Sequence, residues 1–353
     1  MALKKFISLK RSENRKVFIT YIAVIAAFII CQGLSMAGLL SSSMQGMLVP
    51  ICAYMVMAIS LNLVVGVSGE LSLGHAGFMS VGAFSGVAAA IIMQNFITYA
   101  PLRLALAMII GALFASIAGF LIGVPVLRLK GDYLAIVTLA FGEIIKSILN
   151  NFFLGIDQNG LHMSMLKDTT NLAEGGRLII RGPMGINGIT KISTFIAGFI
   201  LVMIALIIVF NLVNSRLGRA LMAIRDDRIA AESIGLDVTK SKMTAFVISA
   251  ALAGAAGCLF AMNYFTIEAR KFDFNMSILI LVFVVLGGQG NFLGSMIAAA
   301  ALTILPEKLR EFADYRMLLY AVILIMAMLI SNNDEIKYFF RKLNPFRNKQ
   351  EAE

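Results

Sequence analysis

Apolar runs long enough to cross a bilayer follow one another along almost the whole chain. A spanning helix needs ~20 mostly apolar residues at a rise of ~1.5 Å each. Candidates lie at 17–40, 46–65, 77–98, 102–127, 133–154, 192–213, 243–265 and 316–331. Only 14% of the 353 residues are charged and 59% are hydrophobic, whereas a soluble domain carries about 25% charged residues. Water cannot be the solvent for such a surface, so the expectation is an all-α, polytopic transmembrane helical bundle of about eight to ten spans. One further apolar stretch, 276–304, is interrupted by Gly287, Gly288, Gln289, Gly290 and Asn291. It is long for one span and short for two. Two half-helices meeting at a Gly-rich break fit it best, forming a re-entrant segment.

Charge distribution orients the bundle. Residues 1–16 hold Lys4, Lys5, Lys10, Arg11, Arg15 and Lys16 against one acid, Glu13, and basic residues beside a span are retained in the cytoplasm. The run at 17–40 exceeds the ~7–15 residues of a signal core, so it is expected to stay as a first helix. Four spans then return the chain inside at Arg128 and Lys130, and the fifth leaves an external loop at 155–191. That loop carries Asp157, Lys167, Asp168, Glu174, Arg177 and Arg181. No regular structure is expected there beyond a cap with turn chemistry at 182–188. The sixth span brings 214–242 to the cytoplasm with Arg216, Arg219, Arg225, Arg228, Lys240 and Lys242. If 276–304 re-enters, Lys337, Arg341, Lys342, Arg347 and Lys349 also end inside. The chain thus divides into a basic cytoplasmic N-terminus (1–16), a membrane domain (17–331) and a cytoplasmic tail (332–353). No basic stretch sits in a soluble domain, so no nucleic-acid partner is expected. Cys31, Cys52 and Cys258 lie in apolar runs and read as small apolar fillers.

Three polar features stand out from this background. The stretch 215–242, SRLGRALMAIRDDRIAAESIGLDVTKSK, lies between spans yet reads as helix. Residues 220–224 tolerate a helix, and Asp226 and Asp227 suit the start of a second one. Ile229, Ala230, Ser233 and Ile234 share one face, with Gly235 as a C-terminal stop. Such a surface helix is either a solvated connection or a plug for a groove in another protein. Second, Gly66, Gly69, Gly74, Gly77 and Gly82 punctuate 66–82, with Glu70 and His75 among them. The glycines allow either tight helix packing or a broken helix lining a pathway. His75 has no second His or Cys nearby, so no metal is expected there. Third, Glu143 falls ~15 Å into its span. An ionisable group at that depth either serves function or takes an interhelical hydrogen bond. Glu268 and Arg270, near the outer end of the seventh span, are expected at the interface, against the loops or a docked protein.

Several motifs resemble the permeases of branched-chain amino acid ABC importers. They are LNLVVGVSGELSLGHAGFMSVGAF (61–84), LKGDYLAIVTLAFGEII (129–145), AIRDDRIAAESIGLDVTKSKMTAFVISAALAGAAG (223–257) and FVVLGGQGNFLGSMIAAA (283–300). The basic N-terminus and motif order are similar to the M-type permease rather than its H-type partner. One departure is Gly294-Ser295, where the family pattern has Gly-Pro. The resemblance implies a bacterial inner-membrane importer subunit. A homologous second permease would complete the pathway, two cytoplasmic ATPase subunits would dock below, and an extracytoplasmic binding protein would deliver substrate. It also implies a coupling role for Arg219, Arg225, Asp226, Asp227, Ala230, Ala231, Glu232 and Gly235. Pathway candidates are Gly69, Glu70, Gly74, His75, Gly77, Glu143, Gly287, Gly288, Gly290 and Gly294. No cofactor is expected. The sequence has no G-x-x-x-x-G-K-[ST], so it cannot cradle nucleotide phosphates by a P-loop, and no paired carboxylates or Ser/His/Asp set suggest an enzyme. Urea or short amides are the alternative substrates. An ion-coupled secondary transporter is the alternative class, though only Glu143 would serve as a relay.

Overall fold

The computed structural model describes residues 2–94, 96–129, 131–157, 160–165, 176–309 and 315–332. The expectations for Lys130, Lys167, Asp168, Glu174 and the basic tail lie outside these residues, as do those for the side chains of 1–16. Five helices come first: α1 (Ala2–Met36), α2 (Ser42–Asn62), α3 (His75–Met93), α4 (Ala100–Val126) and α5 (Asp132–Asn150). Four strands follow: β1 (Phe152–Asp157), β2 (Gly160–Met165), β3 (Arg177–Arg181) and β4 (Ile186–Asn187). Then come α6 (Phe195–Asn214), α7 (Arg216–Asp226), α8 (Arg228–Ser233), α9 (Val238–Ala261), β5 (Thr266–Ile267), α10 (Phe274–Gly287), α11 (Phe292–Lys308) and α12 (Arg316–Asn332).

Among the described residues, seven helical segments are long and apolar enough to cross a membrane: Val17–Met36, Ser42–Val67, His75–Met93, Ala100–Val126, Tyr133–Asn150, Phe195–Asn214 and Val238–Ala261. These are the first seven expected spans, shifted by a few residues at their ends. Helix α1 is longer than expected, because the basic segment before Val17 continues the same helix. Helix α12 holds 17 described residues at the position of the last expected span.

The core is α2, α3, α4 and α9, and small residues make it. A Cβ on Gly82 would sit 2.2 Å from the Cα of Gly254, and one on Gly254 2.4 Å from the Cβ of Ala115. Bulk there would push the helices apart. In a bilayer, where lipid and side chains are equally apolar, such close approach is what holds helices together. Helix α1 is peripheral. It leans on α6 through Tyr21–Phe210, Phe28–Phe195 and Phe28–Phe199 ring contacts and turns Phe18, Ile22 and Ile29 outward.

The segment 155–191 corrects the expectation of an irregular cap. β1 pairs antiparallel with β2 (Phe152 opposite Met165, Gly155 opposite His162) and with β3, with a register shift between Leu154 and Gly155. β4 pairs with β5, Ile186 opposite Ile267. These strands are too short to show a period in sequence, and apart from the β1–β2 hairpin their partners are distant in the chain. The sheet marks one end of the bundle. Asn263 reaches the carbonyl of Gly46 there, and Ser43 bonds Glu307. Arg270 is exposed and Glu268 half-buried at this same end.

α10 enters from the sheet end and α11 returns to it, so 276–304 folds as two helices meeting at the Gly-rich break, as expected. The two helices run 14 and 17 residues, and Gly288 (φ +92°) and Gly290 (φ +80°) turn the chain between them. Left-handed backbone of this kind is open to glycine at no steric cost.

A surface helix joined to two helix breaks

The polar stretch 215–242 folds as read, from its own capping groups. Ser215 Oγ accepts from Gly218 N at 3.3 Å and opens α7. Leu221 and Ile224 face inward, while Arg219 is exposed and bonds the carbonyl of Asn214 at 3.0 Å. Asp227 stops α7 and caps α8, accepting from Ala230 N at 3.0 Å, the arrangement that satisfies a first-turn donor. Arg228 bridges Glu232 one turn on at 2.9 Å. Gly235, at φ +85°, ends α8, with Gly235 N on Glu232 O and Leu236 N on Ala231 O, a left-handed cap that pairs the terminal carbonyls. Asp237 then caps α9 through Lys240 N at 2.9 Å. Ala231 is buried with Ile224 and Val238. Opposite it, Ile229 is 80% and Ile234 75% exposed, beside exposed Ala230 and Ser233. A six-residue helix fixed at both ends thus holds two large aliphatic side chains outward.

The glycine-rich stretch 66–82 is a broken helix. α2 widens into a π-turn at Leu63–Val67, the chain runs non-helically through 68–74, and α3 starts at His75. The second break, between α10 and α11, lies against the first. Asn62 Oδ1 accepts from Gly290 N at 2.7 Å, and Asn62 Nδ2 donates to Ser295 Oγ at 2.8 Å. A Cβ on Gly66 would sit 2.2 Å from Gly290 N, so Gly66 cannot carry a side chain here. The same break joins the surface segment. Arg225 Nη1 donates to Gly66 O at 2.7 Å, its stem lies on Gly69, and Lys242 pairs with Glu70.

The remaining expected pathway residues sit at close contacts. Gly74 meets the backbone of Thr138 and Gly77 that of Gly142, while Gly287 packs on Gly294 and Ser295. His75 is buried against Ser60, with Nε2 to Oγ at 2.7 Å. Because the Ser60 hydroxyl donates to Met57 O at 2.9 Å, it must accept from His75, which places the proton on Nε2. Other buried hydroxyls tie the start of α3 in place: Thr138 accepts from Leu73 N at 3.1 Å and Ser277 from Ala76 N at 3.2 Å. Glu143 is a correction to the interhelical hydrogen bond considered for it. It pairs with Lys146 on its own helix, its side chain half exposed, and lines a small gap with Gly77, Asp273 and Ser277.

Sequence reading missed Asn62, Ser60, Ser295 and the pairing of Lys242. Asn62 had a signal, a lone amide in an apolar run four residues before Gly66. The others look like ordinary small or basic residues until their partners are seen.

A family profile described as branched-chain amino acid transport system / permease component matches residues 43–330. The chain is 38% identical over 230 residues to the high-affinity branched-chain amino acid transport system permease proteins LivM of Salmonella typhimurium and Escherichia coli, covering 62% of this chain and 54% of each relative. It is 28% identical over 199 residues to a probable branched-chain amino acid transport permease protein LivM of Methanocaldococcus jannaschii, covering 52% of this chain and 51% of that protein. The chain thus spans about half the length of the curated relatives it matches. No solved structure matches it significantly. The profile match takes in both helix breaks and the surface helix that meets them, and the chain belongs to the permease component family of branched-chain amino acid transport systems.

Proposed function

We propose that this chain is a membrane subunit of an ATP-driven importer that carries branched-chain aliphatic amino acids into a bacterial cell. A homologous permease shares the pathway, two ATPase subunits bind the cytoplasmic face, and an extracytoplasmic protein delivers substrate. The observation that carries this reading is the outward Ile229–Ile234 face of α8, on a capped helix whose flanking helices are anchored to the first helix break. Exposed aliphatic side chains on a rigid polar-segment helix suit a groove in a soluble partner. Family membership and the names of the relatives support the substrate class. The sequence offers no phosphate-binding loop, which supports ATP hydrolysis by a partner. On this reading 214–242 and both termini face the cytoplasm, and the sheet end faces outward towards the binding protein. Few ionisable groups lie within the spans, in keeping with a small aliphatic cargo whose selection is left to that protein. Radiolabelled leucine and urea uptake, measured in cells with and without the chain, tests the proposal. Leucine uptake that depends on the chain is expected. Equal leucine uptake in both strains, or dependence seen for urea alone, would remove the assigned substrate.

A further inference from the structure

We infer that Lys242–Glu70 and Arg225–Gly66 form the mechanical linkage from the surface helix to the first helix break, and through Gly66 and Asn62 to the second, which makes Lys242 and Arg225 positioning residues for transport; this rests on the importer reading above. The two contacts leave α8 from opposite flanks, Arg225 at the end of α7 and Lys242 near the start of α9. Both land within one short stretch of chain, 66–70. A partner that tilts α8 cannot do so without drawing that stretch along.

Each contact is built for its purpose. Lys242 is almost fully buried near the start of α9. An ammonium so placed must be paired, since an isolated buried charge is costly, and Glu70 is the acid that meets it. Glu70 lies on the non-helical stretch between the π-turn and α3. Arg225 is divided between two partners. Its Nε and Nη2 hold Asp226 Oδ1 at 3.3 and 3.2 Å, and Nη1 holds Gly66 O. Gly66 lies in the last turn before the break, where carbonyls lack an in-helix donor, so the guanidinium takes that place. A side chain on Gly69 would collide with the Arg225 stem at 2.5 Å. From Gly66 the contact passes without a gap to Gly290, and through Asn62 to Ser295 on α11. Surface helix, first break and second break are one hydrogen-bonded unit.

The test uses the full complex with its ATPase and partner-permease subunits, reconstituted in vesicles. Leucine uptake and ATP hydrolysis are measured together. Lys242→Met and Glu70→Gln are expected to lower uptake by about tenfold or more while hydrolysis persists. The reversed pair Lys242→Glu with Glu70→Lys should regain uptake. Because a single variant leaves an unpaired buried charge, the apolar double variant Lys242→Met with Glu70→Met is included. It removes the charge burden and should assemble normally yet stay uncoupled. Wild-type uptake in that double variant would overturn the linkage. So would parallel loss of uptake and hydrolysis in the single variants without rescue by the reversed pair. A wild-type complex that moves no leucine would overturn the importer reading itself, and the linkage with it.

Discussion

Asn62 shows how much one polar side chain can do in an apolar bundle. It bonds Gly290 N and Ser295 Oγ at once and so fixes the α10–α11 hairpin to α2. Asn62→Leu is expected to cost about 1–3 kcal/mol, since interhelical hydrogen bonds in membranes contribute roughly 0.6–2 kcal/mol each and two partners lose theirs. Graded unfolding of the purified protein in detergent would measure it, and an unchanged midpoint would show the hairpin to be held by packing alone. At the core crossing, Gly82→Leu should act differently. The new side chain has nowhere to go but into the Gly254 backbone, and overpacking of this kind costs typically 1–3 kcal/mol or more. Loss of folded, monodisperse protein is expected, with Gly82→Ala intermediate between wild type and Leu.

At the scale of an element, α8 depends on its caps and presents its aliphatic pair. A helix this short has no stability of its own; Asp227, Gly235 and the buried Ala231 hold it. Gly235→Pro or Glu232→Arg should leave the protein in the membrane but weaken ATPase association and uncouple hydrolysis from transport. Ile229→Asp with Ile234→Asp should abolish the association while leaving the fold intact, because both side chains are largely exposed. Pull-down of the ATPase subunits reads both effects. Full association in all these variants would reduce α8 to a connector. The helix and its start, stop and outward face were legible in the sequence, because capping and amphipathic period are local. Its anchorage was not, because Gly66 and Glu70 lie 159 and 172 residues from their partners along the chain.

For the whole molecule, the fold puts the sheet and the surface helix at opposite ends of the bundle. A chain with Cys31, Cys52 and Cys258 replaced by Ala, and one new cysteine at Ser233 or Met184, tests which end faces the cytoplasm. Both positions are exposed. Membrane-impermeant thiol reagent added to intact spheroplasts should label Met184→Cys and spare Ser233→Cys until the membrane is opened. The reverse pattern would invert the topology and with it the coupling role of α8.

Hydrophobic run lengths and glycine clusters determined the spans and the broken hairpin, as local consequences of backbone hydrogen bonding in a medium without water, and capping residues determined the surface helix. Tertiary structure alone decided that the two breaks touch, that Lys242 answers Glu70, and that 155–191 carries a sheet. Those outcomes depend on which side chains meet after the helices pack, and most of them join residues far apart in the chain, where no pattern in a single sequence records the meeting.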